Sequence, residues 1–241
     1  MTFTYLITGA SRSLGLEYSR QLLLSRPDTK VIAAARNPSK ADGLEALKKE
    51  YPERVYLVKL DVVDKEGALE AAREVERSGF LEGGGLDALV HNAGVSEADD
   101  VPPSELTAED VEANLSTNLY GVLNVNAAFL PLLRKGKGKQ IFGLSSVCAS
   151  IALWGESERP TAAYSLSKVA LNMYLKKLAT ELAPEGFTVV MVSLVLTPIN
   201  HGRGEMTVKD AAKQAIDNIF LAVSPADNGR FLRYDGTEME W

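Results

Sequence analysis

The amino-acid sequence predicts an α/β fold, a doubly wound parallel sheet of seven strands with helices on both faces. Short β-branched or apolar runs alternate with longer segments of helical spacing, a pattern typical of parallel strands joined by right-handed crossovers. No Pro-, Gly- or Ser-rich linker divides the 241 residues, and the sequence contains no internal repeat. We therefore expect residues 1–241 to form a single domain.

The short runs and the periodic segments give the order of the elements. The predicted strands are Phe3–Thr8, Lys30–Ala35, Val55–Lys59, Leu86–His91, Gln140–Ser145, Thr188–Val192 and Arg230–Tyr234. The predicted helices are Leu14–Ser25, Lys40–Glu50, Lys65–Ser78, Thr107–Leu133, Ala162–Leu182 and Val208–Val223. Ligands of such a sheet bind at the carboxyl ends of the strands, so we expect functional residues after strands one, four and five.

The composition excludes several classes of function. With 26 basic and 32 acidic residues, the net charge of −6 repels phosphate backbones, so no nucleic-acid partner is expected. No apolar run approaches the roughly 18 residues that span a membrane, and the N-terminal segment is too polar for a signal peptide. The single cysteine, Cys148, excludes an intramolecular disulfide, and with only two histidines and no second cysteine we expect no metal site. We expect a cytoplasmic protein.

A turn that suits a phosphate group follows the first strand. Gly9 allows a sharp turn, and the helix that begins near Leu14 points unpaired N–H groups and its positive dipole end at the same place. A pyrophosphate would contact residues of this turn, namely Gly9, Ser11, Arg12, Ser13 and Leu14. A tight strand-to-helix turn, with Gly15 allowing close packing, is the alternative interpretation.

The second strand bears on which dinucleotide would bind. An NAD site usually has an acidic residue at the end of this strand, but here Ala35 is followed by Arg36. Arg12 and Arg36 are positioned to converge on a 2′-phosphate, which predicts a preference for NADP(H). The alternative is two surface arginines that share no ligand.

Tyr164 and Lys168 are candidates for acid–base chemistry. Their separation of four residues places them on one face of a helix, and a nearby ammonium is expected to lower the pKa of the phenol. The pair alone is also compatible with two helix-surface residues. Its context strengthens the functional interpretation, because Ser145 and Ser146 end the preceding strand and the fourth strand leads into Asn92, Ala93 and Gly94.

These motifs, in this order, resemble those of the short-chain dehydrogenase/reductase family. TGASRSLG is similar to the family's glycine-rich turn, HNAG to its NNAG motif and YSLSK to its YxxxK motif, and the resemblance covers essentially the whole chain. SKVALNMYLKKLATEL and NGRFLRYDGTEMEW are similar to segments of the C-factor and sniffer-type carbonyl reductases. The resemblance implies a Rossmann-like domain that transfers hydride between NADP(H) and a carbonyl or alcohol substrate.

The resemblance also implies roles for individual residues. The catalytic set would be Asn118, Ser146, Tyr164 and Lys168. The cofactor would further contact Asp61, Val62, Asn92, Ala93, Gly94, Val195 and Thr197, and residues 194–207 would form a substrate lid. A homodimer or homotetramer would form through the two long helices. An imine or enone reductase, a cyclase, and a non-catalytic NADP-binding sensor or scaffold remain alternatives on the same fold.

The sequence departs from the family pattern at four positions. Ser13 replaces a glycine, and we expect it to cap the following helix rather than to adopt a strained backbone. His91 replaces an asparagine and is expected to be packed and neutral. Leu194 and Val195 stand where a Pro-Gly pair is usual, so the pocket beside the nicotinamide is expected to differ in shape.

Overall fold

The computed structural model describes residues 2–153, 161–194 and 206–241 of the chain. Its described residues form one sheet of seven parallel strands in the order β3-β2-β1-β4-β5-β6-β7. The strands are β1 Phe3–Thr8, β2 Thr29–Ala35, β3 Val55–Lys59, β4 Ala88–His91, β5 Gln140–Ser145, β6 Thr188–Ser193 and β7 Phe231–Arg233. Each was predicted from the sequence to within two residues at either end.

Seven α-helices connect these strands in the described residues. They are α1 Ser13–Ser25, α2 Asp42–Glu50, α3 Lys65–Arg77, α4 Ala108–Leu115, α5 Gly121–Lys135, α6 Ala162–Leu182 and α7 Val208–Ala215. The prediction of one continuous helix over Thr107–Leu133 is wrong, because a π-helical turn at Ser116–Tyr120 separates α4 from α5. A second π-helical turn, Ile216–Phe220, follows α7. No described helix is both long and apolar enough to cross a membrane.

The sheet is covered on both faces, which confirms the doubly wound fold. Leu6 packs on one side with α3, α5 and α6, and its neighbours Tyr5 and Ile7 pack on the other side with α1, α2 and α7. Successive side chains of a strand point to opposite faces, so a strand buried on both sides must be apolar throughout. This explains why the strands appear in the sequence as continuous apolar runs rather than as alternating patterns.

The strand order reverses beside β1, which pairs with β2 on one side and with β4 on the other. The connections that leave β1 and β4 therefore depart to opposite faces of the sheet. Their divergence opens a crevice at the carboxyl edge, where ligands of open α/β sheets bind.

Candidate active site

A cleft lies at this reversal point, between the ends of β1, β2, β3 and β4. Every cofactor contact that the sequence predicted before residue 100 lines it: Gly9, Ser11, Arg12, Ser13, Leu14, Arg36, Asp61, Val62, Asn92, Ala93 and Gly94. The cleft is also lined by residues that the sequence analysis did not single out as contacts: Gly15, Ala35, Leu60, Val95 and Thr117. Val195, Thr197 and most of the proposed lid lie outside the described residues.

Two glycines set the shape of the turn after β1. Gly9 has φ +65°, and a Cβ at this position would lie 3.0 Å from the Cα of Ala93. A Cβ at Gly15 would lie 2.4 Å from the carbonyl oxygen of Gly9. The turn therefore needs glycine at Gly9 for its backbone conformation and at Gly15 for close contact between α1 and the turn.

Hydrogen bonds tie the loop after β4 to the same turn. The hydroxyl of Thr8 accepts hydrogen bonds from the backbone N–H groups of Asn92 and Ala93, both at 3.0 Å. The Asn92 side-chain amide donates to the carbonyl oxygens of Thr8, at 2.8 Å, and Gly9, at 3.2 Å. Asn92 thus shapes the cleft wall, and Thr8 is a positioning residue that the sequence analysis missed although it begins the turn motif.

Ser13 does not cap α1, so this expectation is wrong. Arg12 occupies the capping position and its side chain makes no capping hydrogen bond. Ser13 is the first residue of the helix, with φ +49°. Its hydroxyl oxygen is shielded from solvent and has no hydrogen-bond partner among the described residues. The chain turns sharply at Ser13, where α1 begins. This backbone requirement prevails over the preference of serine for the capping position.

Arg12 and Arg36 are exposed side chains that line the cleft from the turn and from the end of β2. In the part of the chain that the structure describes, neither makes a hydrogen bond or an ion pair through its side chain. Asp61, after β3, accepts a hydrogen bond from the backbone of Val63 at 3.3 Å. The guanidinium groups of Arg12 and Arg36 are therefore available to bind an anion at this end of the cleft. The end of β2 beside them bears no carboxylate.

Tyr164 and Lys168 lie on the first turns of α6. The Lys168 amine is buried, lies 5.6 Å from the centroid of the Tyr164 ring and donates a 2.7 Å hydrogen bond to the carbonyl oxygen of Leu144. Removal from water disfavours the charged amine and lowers the pKa of Lys168 to about 8. The helical spacing thus brings the pair together as the sequence predicted.

The pKa of Tyr164 is shifted in the direction opposite to the prediction. Burial raises the pKa of this phenol above its ordinary value, electrostatic interactions with Cys148 and Asp99 raise it further, and a hydrogen bond with Ser146 lowers it. The expectation that Lys168 lowers the pKa of Tyr164 is therefore wrong for the structure as described. The four-residue spacing reveals Lys168 as the neighbour of Tyr164 but not the desolvation of the phenol in the folded chain.

Ser146 follows β5 and stands beside Tyr164. Its hydroxyl accepts a 3.2 Å hydrogen bond from the backbone N–H of Cys148. Ser146 thereby caps a short 3-10 turn, Val147–Ala149. The neighbouring Ser145 hydroxyl is buried and has no hydrogen-bond partner among the described residues. The Ser146 hydroxyl lowers the pKa of Tyr164, which favours Ser146 over Ser145 as the hydroxyl that acts on this phenol.

Asn118 is fully buried in the π-helical turn between α4 and α5. Its side-chain oxygen accepts a hydrogen bond from the backbone N–H of Val95, and its amide donates to the Val95 carbonyl and to the Ser167 hydroxyl, all at 2.9 Å. A Cβ at Gly94 would lie 3.2 Å from Asn118 Oδ1 and 3.6 Å from Lys168 Nζ. The π-helical turn therefore joins the loop after β4 to α6.

His91 is packed and neutral, as predicted. Its side chain is buried at the end of β4, where its Nε2 forms a 2.9 Å hydrogen bond with Asn126 Oδ1. Burial lowers the pKa of His91 to about 4. Among the described residues, no group of three or more His, Cys, Asp or Glu side chains is placed to hold a metal ion.

Comparison with known proteins identifies the class to which this fold and site belong. A family model described as short chain dehydrogenase matches residues 4–208. An uncharacterised oxidoreductase of Schizosaccharomyces pombe is 34% identical, over 97% of this chain and 96% of that protein. The chain belongs to the short-chain dehydrogenase family of oxidoreductases, as its motifs indicated.

Two solved structures show the narrower similarity. The Sniffer carbonyl reductase of D. melanogaster superimposes with a TM-score of 0.90 at 27% identity, covering all of both chains. The NADPH-bound carbonyl reductase from chicken fatty liver superimposes with a TM-score of 0.88 at 28% identity, covering 100% of this chain and 99% of the other. Carbonyl reductases are therefore among the proteins that this chain resembles in structure.

Proposed function

We propose that this protein is an NADP(H)-dependent oxidoreductase that interconverts a carbonyl compound and its alcohol. The observation that carries the proposal is the placement of Tyr164, Ser146 and Lys168 together beyond a cleft that suits a dinucleotide. A cleft of that kind without the tyrosine–lysine pair would suit a binding protein equally well. The combination supports catalysis.

The residues of the cleft fit a phosphorylated dinucleotide. Gly9 and Gly15 bring the backbone close to the cleft, and the described first turn of α1 carries no acidic side chain to repel an anion. Arg12 and Arg36 would hold the 2′-phosphate, and Asp61 and Val62 would lie beside the adenine. The NADPH bound to the similar chicken carbonyl reductase supports this choice of cofactor.

The bound cofactor would supply the hydride, and the chain would supply the proton and the orientation of the substrate. Tyr164 would donate its hydroxyl proton to the carbonyl oxygen, and Ser146 would donate a hydrogen bond to the same oxygen. Donors that are already in place stabilise the negative charge that develops there. The raised pKa of Tyr164 keeps the phenol protonated at neutral pH, which is the form that reduction of a carbonyl requires.

Lys168 would hold the ribose hydroxyls of the nicotinamide half, from its position beside the Tyr164 ring. With a pKa of about 8, it is mostly protonated at neutral pH. By its resemblance to the family, Asn118 would hold a water that links Lys168 to solvent. Both side-chain N–H groups of Asn118 already donate to Val95 and Ser167, so that water would donate to an acceptor oxygen of Asn118. Val195 and Thr197, in a lid over residues 194–207, would complete the site.

We also propose that residues 1–241 work as one domain within a homodimer. Exposed apolar side chains lie on the long helices that the sequence analysis assigned to the interface: Leu123 on α5 and Leu166 and Met173 on α6. Light scattering should give about twice the mass of the chain, and Met173→Lys should shift the protein toward the monomer. A monomer at all concentrations would contradict this part of the proposal.

A titration followed by an activity screen tests the proposed function. NADPH fluorescence should change on binding to the purified protein, and NADH should bind at least tenfold more weakly because it lacks the phosphate that the arginines would hold. Loss of NADPH absorbance should then identify a substrate among aldehydes, ketones and quinones. Absence of NADPH binding would contradict the proposal, and binding without turnover of any carbonyl would favour the sensor alternative.

A further inference from the structure

The chain reverses its direction after β7, and residues 237–241 run back beside that strand. Leu232 and Glu238 form an antiparallel bridge, and the N–H of Met239 donates a 2.8 Å hydrogen bond to the carbonyl oxygen of Phe231. We call residues 237–241 the return segment. These contacts hold the return segment against the edge of the sheet, where β7 is the last strand.

The side chain of Trp241, in the return segment, is held by two aromatic contacts. Its ring centroid lies 5.5 Å from that of Phe231, and the Lys176 amine of α6 lies 5.4 Å from the same indole. The amine also donates a 2.7 Å hydrogen bond to the carbonyl oxygen of Gly229, so its own position is fixed. Ring and cation contacts of this kind favour one position of the indole, although 43% of Trp241 is exposed.

The main chain of Trp241 contacts the stretch of chain that follows Ser146. The main-chain oxygen of Trp241 accepts a 3.0 Å hydrogen bond from the N–H of Ala152. We call residues 147–153 the serine segment. Ile151 and Ala152 are exposed, so packing does not hold this part of it. In the described part of the chain, the other hydrogen bonds of the serine segment stay within residues 146–161.

Overlapping turns connect Ala152 to Ser146. The N–H groups of Cys148 and Ala149 donate to the hydroxyl and carbonyl oxygens of Ser146, at 3.2 and 3.0 Å, and Ser150 donates to Val147 at 2.9 Å. Because these turns share residues, movement of the far end of the serine segment changes the position of Ser146. A displacement of about 1 Å near a reacting group is enough to slow a reaction substantially.

We propose that Trp241 is a positioning residue for Ser146. It holds the far end of the serine segment, and thereby keeps the Ser146 hydroxyl in place to donate a hydrogen bond to the substrate oxygen. The inference rests on the proposed function and adds a residue that lies outside both the cleft and the motifs of the sequence. Trp241 does not touch the reacting atoms, so it acts only through the serine segment.

Cys148 provides a test that needs neither cofactor nor substrate. It is the single cysteine of the chain and lies in the serine segment, so alkylation by iodoacetamide reports on this segment alone. Trp241→Ala should label about tenfold faster, because loss of the anchored hydrogen bond makes opening of the segment more frequent. Trp241→Phe, which keeps a ring beside Phe231, is the matched control and should label at nearly the wild-type rate. Equal rates for the wild type and Trp241→Ala would overturn the proposal.

A double-mutant cycle tests whether Trp241 acts through Ser146. Trp241→Ala should lower kcat about tenfold and leave the Kd for NADPH within about twofold of the wild-type value. In the Ser146→Ala background, the same substitution should leave kcat nearly unchanged, because the hydroxyl that Trp241 positions is absent. An equal loss of kcat in both backgrounds would show a general structural effect and would overturn the proposal.

If Trp241→Ala fails to fold, Lys176→Met takes its place in the labelling experiment. This variant removes the cation above the indole and should speed the alkylation of Cys148 about threefold. An unchanged labelling rate in Lys176→Met would then contradict the proposal. A wild type that turns over no carbonyl would instead refute the proposed function, and the labelling rates would still decide whether Trp241 holds the serine segment.

Discussion

The candidate site, which comprises the cleft and the residues beyond it, has two ends that are built in different ways. At the turn end, formed by Gly9–Gly15, Arg36 and Asn92–Gly94, main-chain geometry and the Thr8 and Asn92 hydrogen bonds fix the shape. At the tyrosine end, formed by Ser146, Tyr164 and Lys168, the buried Lys168 and the partly buried Tyr164 have pKa values displaced by desolvation. The turn end is shaped by packing before any ligand arrives, whereas the chemistry of the tyrosine end depends on the charges around it.

This difference predicts how the two ends respond to substitution. Loss of a group at the tyrosine end should lower the rate of the chemical step and leave cofactor binding intact. Loss of a group at the turn end should weaken binding or stability and leave the chemical step intact. Each prediction below tests this separation.

The largest effect is expected for Tyr164→Phe. Removal of the proton donor should lower kcat by about 10³-fold, within the usual range for loss of a general acid, while the Kd for NADPH stays within about twofold. Single-turnover absorbance measurements and a fluorescence titration give the two values. A variant that keeps wild-type turnover would exclude Tyr164 from the role of proton donor.

Ser146→Ala should lower kcat by about 10²-fold, because one preorganised donor to the developing oxyanion is lost. Ser145→Ala is the matched control, since the Ser145 hydroxyl has no partner among the described residues and should be dispensable. Steady-state kinetics with the substrate found in the screen compare the two variants. If Ser145→Ala were the slower enzyme, the assignment of Ser146 would be reversed.

His91, which lies behind the turn end, should make stability depend on pH. Its pKa is about 4 in the folded protein and near 6.5 when unfolded, so the unfolded chain binds the proton more readily between these values. Stability should therefore fall as the pH drops from 6.5 to 4, by up to about 3 kcal/mol from this residue.

Urea unfolding of the wild type and of His91→Asn across this pH range measures the effect of His91. The dependence on pH should be shallower in the variant, which has no imidazole to protonate. Identical slopes would show that burial of His91 does not govern the acid sensitivity of the fold.

A smaller effect is expected for Arg12→Ala and Arg36→Ala. Each should raise the Kd for NADPH about tenfold through loss of a charge-assisted contact, and each should leave the Kd for NADH nearly unchanged. Parallel titrations with the two dinucleotides provide the comparison. An equal loss for both dinucleotides would place these arginines on another part of the cofactor.

The strands and the turn end could be predicted from the sequence because local rules govern them. A buried parallel strand appears in the sequence as an apolar run. Gly9 indicates a backbone with positive φ, which other residue types avoid. The meeting of the turn after β1 with the loop after β4 followed from the sheet, since parallel strands end at one edge. The contacts at Asp61, Val62 and Asn92–Gly94 were predicted from the resemblance to the family.

The errors arose where tertiary packing overrides local preference. The residues of Ser116–Tyr120 suit an α-helix, and their π-helical turn accompanies the burial of Asn118 against Val95 and Ser167. Serine is a residue type that commonly caps helices, but Ser13 lies in a turn where its φ is positive and strained. The pKa of Tyr164 depends on its desolvation in the folded chain and on Cys148 nearby, which a spacing of four residues cannot reveal.

The most direct test of the proposed mechanism is the pKa of Tyr164 with and without NADP⁺. Tyrosine labelled with ¹³C at Cζ gives an NMR signal for each ring, and Tyr164→Phe identifies the relevant one. Without ligand, the pKa should lie above the ordinary value of about 10, as burial dictates. With the cleft loaded with NADP⁺, it should fall below that value, because positive charge beside the phenol favours its ionised form. An unchanged pKa would contradict the assignment of Tyr164 as the acid–base group.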